Sequence, residues 1–147
     1  MEDLYVKIRE RLTQELPEVS FIDEDCGQLV ENEEGYPVTF PCVLIDVVTV
    51  DWQQNNGGTL RGRGSVIVKL AFDCYEDTHS GAYTDTELGR RMKLEQRLRQ
   101  ALHRYCFGAD YSPMLLTQSR FYTLYGLKKV YESTFSINLT EDLLSIK

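Results

Sequence analysis

The residues best suited to chemistry gather in DWQQNNGGTLRGRG (51–64). Arg61 and Arg63 are spaced by glycines, and Trp52 stands just upstream. Guanidinium groups grip phosphate and an indole stacks on a base, so the stretch has the ingredients of a nucleic-acid contact. Gly57 and Gly62 also have the five-residue separation of a phosphate-binding P-loop. Arg63-Gly64 nevertheless stands where that loop requires Lys-Ser/Thr. The stretch also leaves a strand-like run without leading into a helix, so no helix N-terminus converges amide groups on a phosphate. A dinucleotide fingerprint fails for the same reason. Two arginines in a chain of net charge -7 are a thin footprint for nucleic acid. The favoured reading is a hairpin tip or a subunit contact, with Gly62 and Gly64 permitting a bulge or close backbone approach.

The other reactive types are scattered. His79 falls in the loop DTHSG and His103 late in a helical stretch, without the HxxxH or HExxH spacing of a zinc site. Ser80-Gly81 lacks the GxSxG form of a nucleophile elbow. Asp23-Glu24-Asp25 lacks the spacing of a calcium loop. Asp46 interrupts an apolar strand, where a paired or edge carboxylate is favoured over a catalytic one. Cys26, Cys42, Cys74 and Cys106 are widely spaced, form no CxxC, and read as structural thiols. No catalytic constellation, cofactor site or metal site emerges, so function is expected in surfaces.

The elements that would position these residues follow from periodicity. Leu4, Ile8, Leu12 and Leu16 recur every fourth residue, predicting a helix over 2–16 that Pro17 ends. VSFID (19–23) reads as a short strand, and the acidic segment 23–37 as an irregular excursion or small hairpin. Strands are expected near 41–52, 65–75, 119–125 and 130–139. The first two should be joined by a long hairpin reversing at Asn55-Asn56-Gly57-Gly58. A capping box at Thr84–Glu87 opens a second helix running to about Cys106. Its apolar side holds Leu88, Met92, Leu94, Leu98, Ala101, Leu102 and Tyr105, opposite Arg90, Lys93, Arg97 and Arg104. The expected fold is α+β: an antiparallel sheet with a long β-hairpin and two main helices packed on one face. Leu4, Ile8, Leu12, Leu44, Val68, Leu70, Phe72, Leu98, Leu102 and Phe135 form the expected core.

The 147 residues fit a single domain spanning 1–147, and 42% hydrophobic residues suffice for a core. The start MEDLYVKIRE is acidic and unlike a secretory signal, and no apolar run approaches the roughly 20 residues needed to span a bilayer. A soluble, cytoplasmic protein without a membrane partner is expected. Charge is uneven: residues 1–58 carry 3 basic and 13 acidic side chains, and the remainder 13 and 10. A projecting basic tip and oppositely charged halves suit a heterologous, head-to-tail contact, which closes into a ring where the rotation permits.

In this layout the chain resembles the tail-terminator, or tail-completion, proteins of bacteriophages and prophages. The resemblance covers most of 2–139 and rests on five stretches. These are the opening helix MEDLYVKIRERLTQEL, the proline-led strand FPCVLIDVVTVDW, the reversal QQNNGGTLRGRG, the strand SVIVKLAFDCYED and the helix TDTELGRRMKLEQRLRQALHRY. It implies a non-enzymatic subunit, without cofactors, of a homo-oligomeric ring, usually a hexamer. Such a ring caps the tail tube and meets the tail-tube protein and the head–tail connector. It would assemble in the bacterial cytoplasm and end in the virion tail. The subunit interface expected on this basis uses Trp52, Leu60, Arg61, Arg63, Arg90 and Arg97. Segment 23–37 is longer than the pattern requires. The alternative function is a protein- or ligand-binding module of a bacterial mobile element without a tail role, and a third class is a small enzyme using Asp46 and a histidine.

Overall fold

A computed structural model of the protein describes residues 2–30, 38–54, 56–74 and 82–142. His79, Ser80, Gly81, Asn55 and residues 31–37 of the acidic segment lie outside the described residues. Helix α1 spans Glu2–Glu15, and its four-residue stripe of Leu4, Ile8, Leu12 and Leu16 is fully buried. The Leu16 amide still donates to Leu12 O at 2.8 Å before Pro17, which lacks an amide hydrogen, stops the pattern.

Strand β1 (Phe21–Glu24) pairs in parallel with the start of β2 (Cys42–Gln54). The chain reverses through a 3-10 turn at Asn56–Gly58, where Gly57 at φ 70° supplies the left-handed residue, and returns as β3 (Thr59–Asp73). After α2 (Ala82–Leu102), a second hairpin forms β4 (Leu115–Leu124) and β5 (Lys128–Asp142). The sheet order is β1-β2-β3-β5-β4, antiparallel except at β1. The fold class is therefore α+β, with one parallel edge pair that the sequence reading did not include.

Alternation places Val43, Ile45, Val66, Val68, Leu70, Tyr131, Phe135 and Ile137 on one face, against the stripe of α1 and Leu94, Leu98, Ala101 and Leu102 of α2. All ten expected core residues are buried except Phe72, which is half-buried, and Leu44 belongs elsewhere. Leu44 joins Cys42, Ala71, Val130 and Leu29 in a smaller cluster on the opposite face, flanked by Val38, Phe40, Tyr122 and Leu124. One end of the second face is thus covered as well. The described part of the acidic segment folds back to do this. Gln28 Nε2 donates to Glu24 O at 2.8 Å, Asp25 pairs with Lys69 of β3 at 2.8 Å, and Leu29 is buried beneath.

Two expectations change. First, α2 begins at Ala82, so Thr84 lies within its first turn rather than at the cap, and it ends at Leu102. Leu88 and Met92 remain 45% and 39% exposed, so only the second half of the apolar side is buried. Tyr105 lies beyond the helix end, where Arg104 takes a positive φ and its amide meets Met114 O. Second, the long hairpin is not two-stranded. β5 follows β3 along its whole length, from Thr59↔Asp142 to Asp73↔Lys128. The glycines of RGRG sit inside this ladder without a bulge, and the irregularity falls on β2 between Val47 and Thr49.

Candidate interaction surface

The register of the arm fixes where each candidate side chain points. Trp52 stands opposite Gly62, Asp51 opposite Arg63, Gln53 opposite Arg61 and Gln54 opposite Leu60. Residues directly opposite in a ladder share a face, and neighbours along a strand alternate. Trp52, Leu60, Gly62 and Gly64 therefore continue the helix-covered face, while Arg61, Arg63 and Asp51 occupy the other. Arg61 and Arg63 nevertheless line one groove with Trp52 and Gly62, so the alternation does not remove them from its rim.

On the Trp52 side the absence of side chains matters. A Cβ on Gly62 would come within 2.8 Å of Trp52 Cζ3, so the indole lies flat against the glycine backbone. A Cβ on Gly64 would meet Ile137 Cγ2 at 3.4 Å. Gly62 lines a groove of about 690 Å³ together with Trp52, Arg61, Arg63, Asp110, Tyr111 and Leu139.

The segment after α2 walls this groove and is tied down from three directions. Its backbone binds the distal edge of β5: Ser112 N donates to Asn138 O at 2.8 Å, and Thr140 N donates to Asp110 O at 2.9 Å. Lys7 Nζ of α1 donates to Phe107 O at 3.1 Å. The buried Tyr111 hydroxyl donates to Asp3 Oδ1. That bond, foremost among its surroundings, lowers the Asp3 pKa. Burial first, and the Asp3 carboxylate second, raise the Tyr111 pKa.

Arg90 and Arg97 lie apart from the arm, on a second cleft of about 580 Å³ lined also by Phe40, Phe72 and Leu94. Arg97 is engaged within the chain. It binds the Glu18 carboxylate and donates to Glu15 O at 2.9 Å, fastening α2 to the exit of α1. The hydrogen bond from Arg97 is the main cause that lowers the Glu18 pKa. Arg90 is exposed and pairs with Glu87 at 3.1 Å. The six candidate residues therefore form two groups, with Trp52, Leu60, Arg61 and Arg63 together on the arm.

The reactive types remain dispersed. Asp46 is half-buried in β2 on the face away from the helices, opposite Ile67. His103 is exposed, and its Nδ1 accepts the Leu116 amide at 3.0 Å, a structural task at the start of β4. Cys42 is buried, which pushes its thiol up to about 12, and all four cysteines are free. Among the described residues no group of three or more His, Cys, Asp or Glu is arranged to hold a metal ion. No described helix is long and apolar enough to cross a membrane.

Sequence reasoning missed the buried polar residues. Glu95 of α2 is buried, with Arg99 Nε 2.7 Å from its Oε1, an ion contact too oblique for a hydrogen bond. Glu132 of β5 is buried and accepts the Tyr122 hydroxyl at 3.0 Å. Its position in a strand with Lys128, Lys129 and Ser133 gave no sign of burial. Only the second-face cluster explains it.

No protein-family model matches the chain, and no curated protein matches it. Among solved structures, a chain from the virion of a native gene transfer agent particle has the same fold, with a TM-score of 0.53 and 7% identity. The likeness extends over 94% of this chain and 95% of that one, so it concerns the whole architecture rather than a shared motif.

Proposed function

We propose that the protein is a non-enzymatic structural subunit of a phage-like particle, and specifically a tail terminator. In this reading its subunits form a ring that caps the tail tube and joins it to the head connector. The observation carrying the reading is the end-to-end fold likeness to a chain of a gene transfer agent virion. The dispersal of reactive side chains supports it, since neither groove gathers a nucleophile, base and oxyanion donor. The arm supports it further. Its three strands give a firm support, and Trp52, Leu60, Arg61 and Arg63 on that arm would meet the neighbouring subunit. The apolar pair would supply most of the contact energy and the arginines the charge complementarity.

Light scattering and negative-stain microscopy of the purified chain test this reading. A mass of several chains and annular particles are expected, as is shortening of tail tubes polymerised with the protein present. A monomer at every concentration, or tubes of unchanged length, would overturn it.

A further inference from the structure

Two strand edges of the sheet are left open among the described residues. β1 covers β2 only over Cys42–Ile45, leaving 46–54 without a neighbour on that side. At the other end of the sheet β4 is the last strand, paired on one side with β5, and among the described residues its backbone meets another element only near its start, where the Leu116 amide donates to His103 Nδ1. Open edges present backbone donors and acceptors that another strand can satisfy. We propose, on the ring reading above, that the β4 edge of one copy pairs antiparallel with the distal β2 edge of the next, so that the sheet runs continuously between subunits.

The direction follows from topology. Three successive antiparallel pairings, β2–β3, β3–β5 and β5–β4, leave β4 antiparallel to β2. A second copy set alongside with its strands in the same sense therefore brings an antiparallel β2 to β4 and keeps both faces in register. Opposite ends of one sheet meet, so the contact is heterologous and can close.

The side chains match in one register. Along 46–54, β2 carries Asp46 and Asp51 and no basic residue, whereas β4 carries Arg120 and no acidic one. Asp51 and Arg120 lie on the same face, since Arg63 and Glu132 are their respective ladder partners on the side away from the helices. Placing Asp51 beside Arg120 sets Val50 beside Phe121 and Trp52 diagonal to Phe121 on the helix side. Trp52 and Phe121 are 40% and 50% exposed in the single chain, and this arrangement covers both. The irregularities at Val48 and Thr117 then fall just outside the paired stretch, at opposite ends, where they do not interrupt it.

The same register puts Gln53 beside Gln118, both exposed. Cross-linking uses the full chain with Cys26→Ser and Cys106→Ser, which removes the two exposed thiols. Gln53→Cys and Gln118→Cys are introduced singly and together, then treated with a short bis-maleimide. The double variant should give a ladder of dimers, trimers and higher species on a denaturing gel. A mixture of the two single variants should stop at dimers, and each single variant alone should remain uncross-linked. Self-linking of either single variant would mean a twofold edge contact and overturn the proposal. An oligomer by light scattering without a ladder would remove the edge contact and leave the ring reading standing. A monomer at every concentration would remove both.

Discussion

The indole of Trp52 rests where a side chain on Gly62 would otherwise stand, and it is the only tryptophan in the chain. Its fluorescence therefore reports on the arm alone. Gly62→Ala should push the ring outward, because Val50 Cγ1, also 2.9 Å from the added carbon, closes the alternative path. Expected is a red-shifted, more quenchable emission with unchanged far-ultraviolet circular dichroism. Stability should fall by about 1 kcal/mol, since overpacking is partly offset by alanine's smaller entropy loss in a strand. An unshifted emission spectrum would show that the ring is not held there. A second residue-scale test uses Tyr122, whose phenol burial and the bond to Glu132 push up to about 12 from an ordinary value of 10.0. The folded state holds this proton more tightly than the unfolded chain. The associated stability is intact below pH 10 and is lost as pH rises toward about 12. Melting temperature should fall over that interval in the wild type and fall less in Tyr122→Phe. Equal alkaline slopes would exclude the coupling.

Helix α2 shows how periodicity over-reads an element. Leu88 and Leu98 look equivalent in the sequence, yet one is 45% exposed and the other 1%. Leu98→Ala should cost about 2–5 kcal/mol and Leu88→Ala under about 1 kcal/mol in denaturant titrations. Similar losses at both positions would contradict the packing described. A helical wheel gives the apolar side but not which turns meet the sheet. That depends on which turns of α2 reach the core shared with α1 and the sheet, which only tertiary packing decides. Helix α1 was fully legible because its stripe is narrow, regular and buried along its length. The start of β3 was not, because Gly62 and Gly64 interrupt the β-branched pattern and the strand is stabilised by β5, far along the chain. The second-face cluster was hidden for a related reason. Cys42, Leu44 and Ala71 sit in runs already apolar on the other parity, so alternation carries no contrast there. At the candidate site, Arg61 and Arg63 were expected in a projecting tip and instead lie within β3, on the same arm as Trp52. Their division between two faces needed the β2–β3 register, including the irregularity at Val48.

At the scale of the molecule, the charge distribution is the lever on assembly. Arg61→Glu with Arg63→Glu should weaken the oligomer most at low salt, because rim pairs contribute only about 0–1 kcal/mol each and are screened. Asp51 faces Arg63 within the chain, so the double substitution also sets like charges side by side at the arm, a local cost of about 0.2–1 kcal/mol. The monomer should keep its circular dichroism and lose little melting temperature. Light scattering of both proteins at two salt concentrations separates the outcomes: equal masses throughout would exclude the arginines from the contact.

The central position of β3 also shapes how the chain comes off the ribosome. β2 and β3 can meet as soon as they emerge, but the other side of β3 waits for β5, which follows α2 and β4. Pairing Thr59 with Asp142 needs nearly the entire chain. Until then a half-made sheet displays Val66, Val68 and Leu70 beside an unfilled edge, an invitation to aggregation. Folding should therefore be governed by late, sequence-distant pairing and be slow for the protein's size. Chains released before residue 128 should accumulate in the insoluble fraction, whereas the full chain should refold from denaturant in a single cooperative step.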